Sequence, residues 1–550
     1  MESPRKGTET QKKTAEDKLF NFRPLFFSAV FLALGVCFGY LYIYYGISAW
    51  WACCLLPVAA MPFFFFKTSR KRKQAFFAIL VLAVCFAIGA VSFCAQVRSF
   101  VDCGQYNGEY TVCGRVIGRT KSEEYCLVTL TDVYVGENKE NGKLNAYLPA
   151  SFFEECTLSD EVVLRGKVRT ATELSNEYGF RANAIEDDVR FYMTSEDCVV
   201  TGHTFDFFLF LRSRMTDTVY TGLDETTASV TIAVLLGDTS GIESGLLENI
   251  RRGGIAHIFA VSGLHIGALF TFCLGTLKRK PFCKLSKLAK WLLTATLLVL
   301  YGGICGFSAS VVRAIVTCLL FYASDQIGIA ADSSENLGVA AFILLLGSPC
   351  TLFTVGFQLS FASCLGIAWI SRPLSMRINI MFEDPRTLVF EKGEDAHPLT
   401  IGQSLRRGCI SYLSVTVSAQ LATAPILLST FGYLSGWSLL LNCLFVPLIG
   451  VSFWILLLFV AFVCILPIGM NSILLYIPKL VWSVLLLLFQ TVDFSSFSLE
   501  NVRFSFGTLV CYYALLTFLS DKWNIKKGFR ILLFFLFLFV FLIGMYAMNA

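Results

Sequence analysis

The chain has 550 residues, of which 55% are hydrophobic and only 15% charged, with a formal net charge of +5. A soluble domain carries charge on roughly a quarter of its residues. With 52 Phe and a mean hydropathy of +0.64, the composition excludes an ordinary soluble protein and points to a polytopic α-helical membrane protein.

The first 23 residues are polar and basic, with Arg5, Lys6, Lys12, Lys13 and Lys18. The apolar stretch from Pro24 to Ile47 is too long for the core of a signal peptide and reads as a retained anchor. Segments 24–47, 48–66 and 75–96 make three N-terminal spans over 24–96. The basic run between the second and third holds Lys67, Arg70, Lys71, Arg72 and Lys73, which places it in the cytoplasm by the positive-inside rule. The N-terminus is then also cytoplasmic, and residues 97–204 lie outside.

That outer region has short alternating stretches broken by Gly, Asn and Asp, such as YTVCGRVIG and EVVLRGKV. They predict a small β-barrel or sandwich. It carries 18 Asp and Glu against 11 Lys and Arg. Arg115, Arg119 and Lys121 form a local basic patch that reads either as a nucleic-acid contact or as ordinary solvated charge. Cys103, Cys113, Cys126, Cys156 and Cys198 give one or two disulfides if the outer milieu is oxidising; their connectivity is open.

Residues 205–253 carry charge too often to span, and predict amphipathic helices on the outer surface. From 254 to 550 the chain is nearly all membrane. Spans are expected near 255–277, 289–305, 309–326, 335–348, 352–371, 408–430, 435–465, 468–491, 505–520 and 530–547. Pro447 and Gly450 suggest a break in 435–465. The total is about 13 spans, within a range of 10–14. The basic loops at 278–290, 372–407 and 521–530 all fall on the cytoplasmic side of this topology.

Polar groups inside spans usually face a partner or a wet cavity, and they gather in four places. Residues 235–270 hold Asp238, Arg251, Arg252, His257, Ser262 and His265, with Ser262-Gly263 permitting a close helix approach or a break. Both His residues read equally as hydrogen-bonded packing groups. Residues 302–316 place Arg313 after glycines and serines, either in the interior or reaching to the outer interface. Residues 335–370 carry Asn336, Gln358 and Ser360; the fourth stretch carries Gln420, Pro425, Asn442 and Pro447. Isolated amides serve as interhelical links in many proteins, but their collection in consecutive spans suggests a shared interior surface.

HIFAVSGLHIG, with LLGDTSG before it and GFSASVVRA, GFQLSF and LLNCLFVPLIG after it, resembles the signature of the ComEC-type competence family. The resemblance implies an inner-membrane channel that passes single-stranded DNA inward during natural transformation, and an external domain that is OB-like. The family pattern falls on Gly237, Asp238, His257, Ser262, Gly263, His265, Arg313, Gln358 and Ser360. Arg313 and the His residues would touch phosphate; Gln358, Gln420 and Asn442 would offer neutral hydrogen bonds. Many members also carry a metallo-β-lactamase-like domain. This sequence has four His and no HxHxDH run, so no dinuclear metal site is expected. No cofactor is expected and no enzymatic activity. The expected partners are single-stranded DNA, membrane lipid, and a separate nuclease, DNA receptor and cytoplasmic motor; an oligomer is open. An intramembrane serine protease built on Ser262 lacks a later membrane His. A permease for a small solute or lipid, and a degenerate homologue with no DNA role, are the remaining alternatives.

Overall fold

The computed structural model describes residues 23–47, 69–121, 124–153, 155–171, 182–259, 261, 263–328, 332–382, 401–462, 468–492, 494–500, 502, 504–520, 533–534 and 536–542. The expected span 48–66 lies outside these residues, as does the 383–400 part of the expected loop 372–407. The chain divides into two units. One comprises Met1–Pro24, Gln358–Leu444 and Phe494–Ala550; the other comprises Leu25–Phe357 and Phe445–Asp493.

The larger unit begins with helices α1 (Pro24–Tyr45) and α2 (Ser69–Val101). They cross at Gly35 and Gly89, where a Cβ on either would overlap the backbone of the other helix at Phe86 and Leu32. Small residues let two apolar helices approach to backbone contact, the main source of attraction where water is absent.

The β domain follows: β1 (Asn107–Lys121), β2 (Tyr125–Val135), β3 (Asn138–Lys139), β4 (Lys143–Pro149), β5 (Asp160–Thr170) and β6 (Val189–His203), with a short helix α3 (Ala182–Glu186) before β6. The strand order is β1-β5-β6-β4-β2-β3, and β1 also pairs with β2. The five longer strands therefore close on themselves. β4 and β6 run parallel; the other pairs are antiparallel. Alternation puts Cys126, Val128 and Leu130 of β2 inside. Around Asp132, which has φ +51°, the β1–β2 register shifts, and Val133 and Val135 take over the inward positions. Such a bulge bends a strand and resets its phase. Val112, Leu144, Leu164, Phe191 and Met193 complete the core. A second cluster joins the ring to the helices through Val36, Phe93, Phe100, Ala184, Ile185 and Cys350.

Next come α4 (Phe207–Gly222), α5 (Glu225–Leu236) and α6 (Ser244–Arg252). α5 departs from the expected amphipathic surface helix: residues 227–236 are buried in succession. Its hydroxyls are satisfied within the helix, Thr231 Oγ1 donating to Thr227 O at 2.8 Å and Ser229 Oγ to Glu225 O at 2.8 Å. Then follow α7 (Gly263–Leu277), α8 (Lys287–Ile304), α9 (Ala309–Ile327) and α10 (Ser333–Gly347). The expected span 255–277 is thus helical only from Gly263, preceded by a single tight turn at Ala256–Ile258.

Helices α11 (Val355–Gly366), α12 (Arg372–Phe382) and α13 (Ile401–Phe431) follow, with a widened helical turn at Ile367–Ser371. After β7 (Tyr433–Ser435) come α14 (Ser438–Phe462), α15 (Ile468–Thr491), β8 (Ser498–Glu500) and α16 (Phe506–Leu519). α14 runs through Pro447 without the expected break. In α13, Pro425 has no N–H for the carbonyl of Leu421. Tyr512 Oη of α16 donates to that carbonyl at 2.7 Å, and Tyr513 Oη donates to Ala422 O at 3.0 Å. β7 pairs antiparallel with β8.

Among the described residues, six helices are long and apolar enough to cross a membrane, and five shorter apolar helices have 10–17 residues. The protein is a multi-pass membrane protein.

Candidate functional site

The segment LLGDTSG ends α5. Gly237 takes φ +76° as its C-cap and packs on Val261; a Cβ there would lie 3.2 Å from the Val261 side chain. A positive φ favours glycine because it has no Cβ to clash. Asp238 turns the chain: one carboxylate oxygen accepts from Ser240 N and Oγ at 3.1 and 2.6 Å, and the other accepts from Arg212 of α4 at 2.9 Å. Tyr301 Oη, near the end of α8, donates to Leu235 O at 2.8 Å. Three segments far apart in sequence therefore meet at the end of α5.

Val261 leads directly into α7. Arg313 lies in the second turn of α9 and is only 6% exposed. Its Nη2 would stand 2.8 Å from a Cβ at Gly263. Arg313 is thus buried within the protein against the glycine. Gly263 is the first residue of α7 and lies against the Arg313 side chain. Ser262 itself lies outside the described residues.

His265, two residues further along α7, is fully buried, with its ring 4.5 Å from that of Phe453 in an edge-to-face contact. It borders a groove of about 460 Å³ between α7 and α14, lined by Gly263, Gly267, Ala268, Ile449, Gly450 and Trp454 among others. This groove is largely apolar. His257 is placed differently, in the exposed turn before α7. The two histidines do not share one helix, because the helix starts between them.

Gln358, Ser360, Gln420 and Asn442 belong to the other unit. Gln358 and Ser360 are half-buried on α11. Gln420 Nε2 and Asn442 Oδ1 are buried with no hydrogen-bond partner, while the Asn442 carbonyl accepts from Tyr412 Oη at 3.0 Å. Unsatisfied amide atoms in a membrane interior are costly.

In the β domain, Arg115 pairs with Asp132 at 3.1 Å. Arg119 donates to the carbonyls of Phe153 and Cys156 at 2.9 and 3.0 Å and stacks on the Phe153 ring. These two arginines of the basic patch are engaged within the domain; the Lys121 side chain lies outside the described residues. Of the five cysteines, Cys156 and Cys198 have sulfurs 3.1 Å apart. Contact with Cys198 holds the Cys156 thiol below its ordinary value, while Cys198 is pushed up. Cys126 is buried, Cys103 and Cys113 half-buried, and all five are free thiols.

Sequence reasoning passed over Arg212 and Tyr301. Arg212 sits in a charged stretch read as surface; Tyr301 is an aromatic in an apolar run. No signal in the sequence tied either to α5.

The family model for Competence protein matches residues 234–526, more than half of the chain. The chain belongs to the Competence protein family. Every residue of the α5, α7 and α9 junction from Leu235 onward lies inside the matched segment of this Competence protein. ComE operon protein 3 of Bacillus subtilis (strain 168) is 29% identical over 221 residues, 39% of this chain and 24% of that protein. Uncharacterized protein MG316 of Mycoplasma genitalium is 28% identical over 139 residues, 25% of this chain and 34% of that protein. The alignments thus span a quarter to a third of these relatives' own length. No solved structure matches.

Proposed function

We propose that this Competence protein is the conduit through which single-stranded DNA crosses the inner membrane during natural transformation, acting as a channel and not as an enzyme. The observation that carries the reading is the convergence of the family's separated motifs. Gly237 of LLGDTSG packs on Val261, and Gly263, two residues on, lies against Arg313 of GFSASVVRA, a buried cation among the described residues. A polyanion needs weak, repeated contacts along its path. In this reading Arg313, His257 and His265 serve phosphate, and Gln358, Gln420 and Asn442 offer neutral hydrogen bonds.

The chain would span the membrane about 13 times, with the N-terminus in the cytoplasm and the β domain outside. That domain would be an OB-like barrel; the support is its closed five-strand order with one parallel pair. A separate nuclease, DNA receptor and cytoplasmic motor would complete the system. The test is uptake of labelled DNA by a transformable host lacking this chain. Loss of internalised label, restored by the intact chain, is expected. Unchanged uptake overturns the reading.

A further inference from the structure

The larger unit holds an ion pair that the motif junction does not use. α15 has 24 residues, about 36 Å at 1.5 Å per residue and by length alone enough to cross ~30 Å of hydrocarbon; the apolar stretch of its described side chains, Leu475–Thr491, is shorter. Lys479 is its one charged residue and stands at its middle. Lys479 Nζ lies 3.0 Å from Asp224 Oδ1, and the two side chains remain 44% and 55% exposed. Asp224 occupies the turn between α4 and α5. Its second oxygen accepts from Thr227 N and Oγ1 and caps α5.

A second contact fixes the depth. Asn249 of α6 donates to the carbonyls of Phe489 and Val492, at the far end of α15. From Lys479 to Phe489 is about 15 Å of helix, close to the ~18 Å length of α5. The hairpin of α4 and α5 therefore lies along the C-terminal half of α15, against which both helices pack. Its turn reaches the middle of α15, and α6 stands at the end.

The surroundings of Lys479 identify what its exposed side meets. Tyr476, Leu480, Val484 and Leu487 form the broad exposed apolar face of α15, suited to lipid. At 100° per residue, Lys479, Ser483 and Gln490 fall in one narrow arc beside that face. An ammonium exposed to hydrocarbon at the centre of a span costs roughly 2.5–3.5 kcal/mol or more. That cost is avoided when the open side of the arc is wet.

We propose that the hairpin of α4 and α5 is re-entrant, that the Asp224–Lys479 pair at its tip borders a water-filled lumen, and that Lys479 contacts phosphates of the passing strand there. The phosphate contact rests on the conduit reading; the wet lumen does not. Asp224 holds the ammonium when the lumen is empty, and a phosphate oxygen replaces the carboxylate as the strand moves through. Such an exchange gives an attraction weak enough to release.

Both halves are tested with the full chain in host membranes. Lys479→Cys should react with a membrane-impermeant cationic methanethiosulfonate well above the background of the parent chain's own cysteines. Labelling no greater than that background overturns the lumen. In uptake assays on cells with equal amounts of membrane-inserted protein, Lys479→Gln should lower uptake at least about tenfold and Lys479→Arg should retain it. Asp224→Asn, which keeps the cation and loses only the group that competes with phosphate, should lower uptake clearly less than Lys479→Gln does. Equal losses in Lys479→Gln and Asp224→Asn mark a purely structural pair and overturn the phosphate contact. If deletion of the whole chain leaves uptake unchanged, the conduit reading and the phosphate contact both fall, while the labelling result still decides the lumen.

Discussion

The β ring and the helices that follow it handle charge in opposite ways. In the ring, apolar side chains point inward and arginines such as Arg115 lie at the surface, paired with a neighbouring carboxylate. In the helices, large apolar side chains face outward, among them Leu292, Val451 and Leu487, while Arg313 and Asn442 are buried. The same residue type therefore carries different weight in the two regions. An arginine on the ring is replaceable; an arginine beside Gly263 is held where no solvent compensates its loss.

The sharpest way to break this contrast is at Gly263. Gly263→Val places methyl groups where the Arg313 guanidinium lies, an overpacking that costs about 1–3 kcal/mol and displaces the cation. Uptake of labelled DNA should fall to the level of the deletion strain while the protein still inserts. Near-normal uptake would remove Arg313 from the path.

A smaller effect is expected at the base of the ring. Asp160 is buried, which works to raise its carboxyl, but hydrogen bonds from His203 and Thr157 outweigh this and hold it below the usual carboxylate range. Its stabilisation is therefore complete above the unfolded value, near pH 4, and is lost as pH falls through the lower folded value. Asp160→Ala should weaken the ring by ~1–3 kcal/mol at neutral pH. Hydrogen exchange of β5 and β6 in the full chain should show it, with the gap from the parent narrowing in acid. A pH-independent gap would assign the effect to packing.

Cys156 and Cys198 should form the disulfide that oxidant produces first, read by differential alkylation and mass spectrometry of the oxidised full chain. Crosslinks through Cys103 or Cys113 in their place would contradict the geometry. The smallest effect belongs to Arg115→Ala, which removes a half-exposed pair worth 0–1 kcal/mol. Thermal melting of the full chain and DNA uptake should both stay near the parent. A clear uptake defect would show that the ring grips the strand through this arginine.

Much of this contrast was legible in the sequence. Runs of apolar residues located the helices, and two-residue alternation located the strands. What escaped depended on partners distant in sequence. α5 looked amphipathic because of its Thr and Ser, whose hydroxyls donate to carbonyls one turn back and so tolerate burial. His257 and His265 fall in one expected span, 255–277, but the helix begins at Gly263. Gly263 and Arg313 were each singled out; their contact was not, since fifty residues separate them. Lys479 drew no notice because its partner, Asp224, lies in a segment read as external.

The closure of the ring bears on self-association. A sheet with a free edge offers a row of unsatisfied amides to any other extended chain. Here β1 pairs with β5 along Asn107–Arg115 and with β2 along Val112–Lys121, so much of the ring's backbone is partnered within the domain. Crowded copies of the protein in one membrane therefore find fewer free backbone edges on the ring than on an open sheet. Docking on the ring then falls mainly to side chains and loops, which sequence change can retune without unravelling the strands.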